Sequence, residues 1–297
     1  MIEKTNKTPL IGFIGQGWVG NNYANDFEAR GYSVIRYSLD EQYRTNKDLI
    51  KDCEIVFICV PTPTTQNGFD SSIVESCLLL VGKGNIAVIK STILPGTTNS
   101  LQEKNQEIFV FHSPEFLRET LAAYDASHPQ RNIIGIPEDT AINHEKAELV
   151  LSTLATAPYN KIMQAREAEL VKYIGNCFLY EKVVFFNQMY DLAVSMNLDV
   201  ASITEAVTRD PRIGESHTTV VHASGHDETA VGRGAGGHCF IKDFEALLEM
   251  YKKNLPTDIK GYEALFSIRE KNNDYLITSG KDKELLEGVI GSITQES

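Results

Sequence analysis

Apolar residues in the first half of the chain fall in short, nearly unbroken runs at 10–14, 32–37, 55–60, 85–90, 108–112 and 132–136. Runs of this length without polar alternation suit strands covered on both faces. The stretches between them have helical texture, as at 21–30 and 71–81, so strands alternate with helices. That alternation predicts an α/β unit with a doubly wound parallel sheet.

The texture changes near residue 160. Residues 165–197 contain no proline and one glycine, Gly175, and apolar residues lie on nearly every face of 170–194. This predicts one long helix buried on most sides. Further helices are predicted over 199–207, 243–253, 259–273 and 282–290, with a polar loop over 209–233. The expected organisation is a dinucleotide-binding domain over 1–160 and an all-helical domain over 161–297. A helix with more apolar surface than one small domain can cover predicts a homodimer built on 166–196.

Composition narrows the function classes. The 297 residues carry a formal net charge of −12, which argues against nucleic-acid or anionic-membrane partners. No apolar run reaches the length of a membrane span, and Met1 to Lys7 do not lead into a signal-peptide pattern, so a cytoplasmic location is expected. The cysteines Cys53, Cys59, Cys77, Cys177 and Cys239 are odd in number and scattered, as expected of reduced thiols.

The first run leads directly into Gly15-Gln16-Gly17-Trp18-Val19-Gly20, followed by helix and strand patterns. Strand, GxGxxG, helix and strand within about thirty residues is the dinucleotide-binding arrangement of a Rossmann-type domain. Gly15 permits the tight turn, Gly17 lets backbone approach a pyrophosphate, and Gly20 allows close helix–strand packing. The acid expected on the adenosine ribose is missing, because Ser38 stands where the second strand ends. Asp40 and Glu41 lie close by, as do Arg36 and Arg44, and an arginine there can accept a 2′-phosphate. NAD is expected, with NADP left open. The run 55–60 ends in Val60-Pro61-Thr62-Pro63, a turn at the carboxyl end of a strand, where open α/β sheets bind ligands.

A second glycine-rich bend, Gly234-Ala-Gly-Gly-His-Cys239, sets a cysteine behind His238 and ahead of Lys242 and Asp243. A thiol there is reachable, and a neighbouring cation favours its thiolate. Lys172 and Asn176 are four apart on the long helix and share a face. A lysine buried there needs a partner; it suits either oxyanion stabilisation or, with burial, a base. His217, His222, His226 and His238 match no zinc signature, so no metal is expected.

Seven motifs in order resemble the UDP-glucose/GDP-mannose dehydrogenase family from about Pro9 to about Asn273. They are Gly15 to Gly20, Val60 to Pro63, Lys90-Ser-Thr92, Ser113 to Glu119, Ala168 to Asn176, Asp210 to Gly214, and Gly236 to Asp243. The resemblance implies NAD-dependent oxidation of a nucleotide-sugar primary alcohol to a carboxylate in two steps. It makes Cys239 the nucleophile, holding the aldehyde as a thiohemiacetal and then as a thioester. It places Lys172, Asn176, Asp243, Glu119 and Thr92 in the catalytic set, with Glu119 handling the proton of hydrolysis and Thr92 fixing the water. It assigns Gly15, Gly17, Trp18, Val19, Gly20, Ser38, Val60, Pro61, Thr62 and Thr92 to the cofactor. Glu115, Phe116, Leu117, Arg118, Arg212 and Gly236 fall to the substrate, Arg212 in relatives often across a subunit interface.

The chain departs from that pattern in several places. It ends at Ser297, short of the relatives' third domain, which grips the nucleotide. The segment before Ile55 is short, Ile241 replaces a common proline, Phe244 replaces a common threonine, and the loop 215–232 reads as an insertion. Two other readings remain open on sequence. One is a single-step hydroxyacid dehydrogenase of the 3-hydroxyisobutyrate type, which shares the Lys-x3-Asn pair and needs no cysteine. The other is a non-catalytic binding or assembly subunit.

Overall fold

A computed structural model describes residues 8–65, 68–224 and 229–291. In chain order the elements are β1 (Ile11–Ile14), α1 (Trp18–Ala29), β2 (Val34–Tyr37), α2 (Glu41–Arg44), β3 (Ile55–Ile58), β4 (Thr64–Thr65), β5 (Gly68–Phe69), α3 (Ser72–Leu78), β6 (Ile86–Ile89), α4 (Thr97–Lys104), β7 (Phe109–His112), α5 (Ala122–Ser127), β8 (Arg131–Ile136), α6 (Ala141–Thr153), β9 (Tyr159–Gln164), α7 (Ala165–Ser195), α8 (Val200–Thr208), β10 (His222–Ala223), β11 (Val231–Gly232), α9 (Gly237–Asn254), α10 (Ile259–Ser279) and α11 (Lys283–Ile290). The chain divides into two compact units, one formed by Met1–Pro63 with Asp70–Lys172, the other by Thr64–Phe69 with Tyr173–Ser297.

The first unit is built on a seven-stranded sheet of order β2-β1-β3-β6-β7-β8-β9. The five strands from β2 to β7 are parallel, and their apolar runs fill one core in which Phe13, Phe27 and Phe57 pack as a cluster of rings. The all-parallel expectation needs one correction. β8 runs antiparallel to β7, and β9 runs parallel to β8. The link over 113–130, which carries the six-residue α5, returns the chain to the end of the sheet that β7 reached, so β8 runs back beside it. A second correction is β9 itself, a strand the apolar pattern did not reveal. Its sequence YNKIMQ lies at the sheet edge and is largely exposed, so no buried run marks it.

The second unit is helical, with a short antiparallel ribbon of β10 and β11. Its core joins Cys177, Tyr180, Val183 and Val184 of α7 to Phe244 and Leu248 of α9 and Tyr275 of α10. The rings of Tyr180 and Phe244 stack at 4.0 Å. A smaller cluster holds Ile241, Leu276 and Leu286. The expectation that α7 is buried on most sides is not met within this chain. One face is covered, while Ile174, Phe178, Phe185 and Leu192 are exposed, Phe178 by 65%. Apolar residues on both faces need two coverings, and the described residues supply one.

Candidate active site

The glycine-rich loop over 15–20 follows β1 as its glycines require. Gly15 has φ +90°, and its N–H donates to the Tyr37 carbonyl at 2.8 Å. A Cβ on Gly15 would meet the Cys59 carbonyl oxygen, and one on Gly20 would meet the Gly15 carbonyl oxygen. Both positions therefore hold α1 tightly against the ends of β1 and β3. Gly17 differs, since a Cβ there would meet nothing within 4 Å. It is the N-cap of α1, makes no side-chain cap, and no acidic residue follows in the first turn. An open helix N-terminus with backbone N–H groups suits an anion. The adjoining cleft, lined by Gln16, Gly17, Trp18, Asn21, Leu121 and Tyr124, has a volume of about 720 Å³. These features fit a dinucleotide diphosphate.

At the end of β2, Ser38 Oγ donates to the Asp40 carboxylate at 2.7 Å. The arginines considered for a 2′-phosphate are engaged elsewhere. Arg36 binds both carboxylate oxygens of Glu28 and the side-chain carbonyls of Asn21 and Asn25, and Arg44 donates to the Leu39 carbonyl.

The carboxyl ends of β3, β6 and β7 are tied together. Thr62 Oγ1 donates to the Thr92 carbonyl at 2.6 Å, and Ser91 Oγ donates to the Val60 carbonyl at 2.7 Å. Pro61 is exposed between these ties. Beneath them, the buried Lys90 ammonium donates to the Ser113 carbonyl and hydroxyl, both at 3.1 Å, and lies 4.4 Å from the Tyr23 ring centre. Burial brings Lys90 down to about 8 and, with the Lys90 charge, His112 down to about 3.

Ser113 opens the loop that carries Glu115. Lys172 Nζ donates to Glu115 Oε1 at 2.5 Å, and the Leu117 N–H donates to Glu115 Oε2 at 2.8 Å. Both partners of this ion pair are buried. Burial alone would raise the Glu115 carboxyl, but the charge and hydrogen bond of Lys172, the Leu117 N–H and Lys90 outweigh it and lower it. Phe116 is covered by the Arg131 guanidinium at 3.8 Å. Leu117 packs on the sheet core. Arg118 is clasped by Asp125 through its backbone N–H, Nε and Nη2. Glu119 opens a 3-10 turn, and its side chain lies outside the described residues.

In the helical unit, α9 begins six residues earlier than the sequence pattern suggests, at Gly237. Cys239 therefore sits in the helix's first turn, exposed, rather than on a bend ahead of it. Asp243 lies one turn further along and is buried. Its carboxylate receives Asn176 Nδ2 at 2.6 Å on one oxygen and Lys242 Nζ at 2.6 Å on the other. Spacing of four puts Cys239 and Asp243 on one face of α9. Burial pushes Cys53 and Cys59 up to about 12, Cys77 up to about 11, and Cys177 higher still, which marks them as packing thiols. Arg212 is exposed, its guanidinium forked on Asp210 two residues earlier. His226 lies outside the described residues. Among the described residues, no three metal-ligating side chains converge.

Three contributors escaped the sequence reading. Lys90, which opens the Lys90-Ser-Thr92 motif just past β6, was given no role there, and His112 closes the apolar run of β7 without a motif of its own. Glu169 is fully buried on α7 and accepts from Gly96 N, Thr98 N and Thr98 Oγ1 at 2.6, 2.8 and 2.6 Å, which caps α4. An acid three residues before Lys172 on an apolar helix was the available signal.

Residues 41–153 match the NAD-binding domain of the UDP-glucose/GDP-mannose dehydrogenase family, and residues 166–273 match its central domain. A UDP-glucose 6-dehydrogenase of Rickettsia bellii is 32% identical over 77% of this chain and 52% of its own length. The chain spans about a third to two thirds of the length of the curated relatives it matches. Among solved structures, a UDP-glucose dehydrogenase of Pyrobaculum islandicum superposes with a TM-score of 0.73 at 26% identity, over 91% of this chain and 70% of that one. A 3-hydroxyisobutyrate dehydrogenase of Mycobacterium tuberculosis shares the fold at 14% identity, with a TM-score of 0.67 over 91% of this chain and 95% of that one. No helix among the described residues is long and apolar enough to cross a membrane.

Proposed function

Because the chain belongs to the UDP-glucose/GDP-mannose dehydrogenase family, we propose that it oxidises the primary alcohol of a nucleotide sugar such as UDP-glucose to the carboxylate. The observation that carries this reading is the set on α7 and α9: an exposed Cys239 in a first helical turn, with Asp243 one turn on held by Asn176. A one-step alcohol dehydrogenase has no use for that thiol. NAD, when bound, would supply the hydride acceptor for each of the two oxidations.

The helix N-terminus beneath Cys239 favours its thiolate. The thiolate adds to the carbonyl carbon of the aldehyde, forming a C–S bond and a thiohemiacetal. Loss of hydride from that carbon leaves a thioester. Water then adds, the C–S bond breaks, and the thiolate leaves with the carboxylate formed. Lys172, an ammonium in its ion pair with Glu115, offers the positive charge that developing oxyanions need. Glu115, whose sequence assignment was to the substrate, thus joins the catalytic set through Lys172. Asn176 holds the Asp243 carboxylate in place to orient the hydrolytic water, and Glu119 remains the proton carrier of that step. Arg118 and Arg212 are tied to Asp125 and Asp210, so a role for either at the substrate requires exchange of that partner.

For the cofactor, Gly17 and the first turn of α1 hold the diphosphate, while Asp40, reached through Ser38, takes the place of the ribose-binding acid. A carboxylate there repels a 2′-phosphate, and Arg36 is already spent on Glu28. This favours NAD over NADP. The exposed apolar stripe of α7, from Ile174 to Leu192, supports a second copy of the chain as its cover.

The test is turnover with a panel of nucleotide sugars and 3-hydroxyacids, counting reduced nicotinamide per substrate. Two equivalents are expected, and Cys239→Ser should lower kcat by at least about 10³-fold. One equivalent from a hydroxyacid, with Cys239→Ser unimpaired, would replace this reading with the single-step reaction.

A further inference from the structure

The turn that presents Cys239 is held from a place outside the family match. Residues 166–273 correspond to the central domain, whereas Lys281 and Asp282, at the head of α11, lie beyond it. Asp282 is the N-cap residue of α11, yet its side chain does not cap that helix. Its Oδ2 instead accepts the Gly237 N–H at 2.8 Å. Gly237 is the first residue of α9, whose own N-cap, Gly236, has no side chain to offer. A Cβ on Gly236 would run into the same Asp282 oxygen. Gly236 therefore gives this carboxylate room to reach the helix.

Lys281 holds the other side of the turn. The residue is 1% exposed, and its ammonium donates to the Gly234 carbonyl at 3.2 Å and to His222 Nε2 at 2.8 Å. A lysine ammonium can only donate, so His222 accepts through Nε2 and carries its proton on Nδ1. Burial first, and then the Lys281 charge, hold the His222 pKa down, so the imidazole stays a neutral acceptor. Asp282 itself has φ +53°, in the left-handed region, where asparagine and aspartate are better tolerated than most residues. Two consecutive residues thus grip Gly234 and Gly237, the two ends of the glycine turn, and Cys239 follows two residues later.

We propose that Lys281 and Asp282 are positioning residues for Cys239, setting both the place of its helical turn and the electrostatic balance at the start of α9. The proposal rests on the reading of Cys239 as the nucleophile. The Asp282 carboxylate offsets the positive end of α9 and disfavours a thiolate there, while the Lys281 ammonium favours one. The other charged or titratable groups at the start of these elements are His222 on β10, Arg233 just before the turn, His238, Lys242, Asp243 and Glu245 on α9, and Lys283 and Glu284 on α11.

The experiment is the pH dependence of iodoacetamide alkylation at Cys239, followed on its peptide by mass spectrometry in the whole chain. Asp282→Asn keeps an acceptor for Gly237 and removes the charge, so the midpoint should fall by about half a pH unit; Lys281→Met should raise it by a similar amount. Asp282→Ala, which loses the bond as well, should lower kcat about tenfold at unchanged KM for NAD, with Asp282→Asn restoring most of it. A purely structural role would not move the two midpoints in opposite directions. Unmoved midpoints in folded Asp282→Asn and Lys281→Met overturn the proposal, whether or not Asp282→Ala folds. If the midpoints move but no nucleotide sugar is oxidised, the positioning role stands and the proposed reaction fails. If turnover requires Cys239 while the midpoints stay fixed, the reaction stands and the positioning role fails.

Discussion

Helices α1 and α9 begin alike and end up in different situations. Each has a glycine N-cap, Gly17 or Gly236, with no side-chain cap of its own. Helices α6, α8 and α10, by contrast, are capped by their own Thr140, Asp199 and Asp258. A third glycine-started helix, α4, takes the Glu169 carboxylate across its first turn, much as α9 takes Asp282. Among the described residues, neither carboxylate has a counterpart at α1, whose first turn faces open space at Gly17. A glycine at the N-cap therefore withdraws a helix from self-capping, and what fills the vacancy separates the roles. A carboxylate from within the chain fixes a helix in place. An unfilled N-terminus is available to an anion from outside, here the proposed dinucleotide.

The sharpest way to break this comparison lies in the glycines behind α1. Gly20→Ala sets a methyl group against the Gly15 carbonyl, and backbone cannot swing aside as a side-chain tip can. The expected cost is about 3 kcal/mol or more of stability, with dinucleotide binding lost as a consequence. Chemical denaturation measures it. A cost below about 1 kcal/mol would mean that α1 is not held to β1 as tightly as its contacts indicate.

Removing the borrowed cap of α4 should have the next largest effect. Glu169→Ala strands two backbone N–H groups and the Thr98 hydroxyl, for a loss of about 2 kcal/mol at neutral pH. Burial raises the Glu169 carboxyl despite the opposing bonds from Thr98 and Gly96. The sign follows from linkage. Between the unfolded carboxylate value of about 4.3 and the higher folded value, the folded chain binds more protons, so this group's contribution falls as pH rises through that window. Denaturation curves at a series of pH values should show that slope in the wild type and lose it in Glu169→Ala. A slope that persists in the variant would assign it to another group.

Much of the sheet unit is legible in the sequence because buried strands leave unbroken apolar runs, and β1, β3 and β6 fall within the runs that mark them. Direction leaves no such trace. The run over β8 reads the same whichever way the strand points, and its antiparallel pairing with β7 shows only in the sheet. Cys239 was legible through the glycines around it, but its place in a helix was not. Gly236 and Gly237 read locally as a bend, and the group that turns that bend into a helix start is Asp282, 45 residues away from Gly237. Glu169 was hidden in the same way, because the N–H groups it satisfies belong to residues 96 and 98. Partners distant in sequence supply these caps, and local periodicity carries no record of them.

The smallest expected change is at Gly17, and it bears most directly on the contrast between α1 and α9. Gly17 has φ −74°, which alanine adopts without strain, and the added methyl meets no protein atom within 4 Å. Gly17→Ala should therefore alter stability by less than about 1 kcal/mol, the cost of a poorer N-cap residue. The methyl nevertheless projects where a diphosphate would lie against the backbone, so affinity for NAD should fall at least about tenfold, or about 1.4 kcal/mol. Calorimetric titration read beside thermal unfolding separates the two effects. Weakened binding with intact stability marks the open N-terminus of α1 as the dinucleotide's seat. Unchanged binding would remove the distinction between a helix start filled by the chain and one left for a ligand, and Gly17 would then be a glycine without a steric reason.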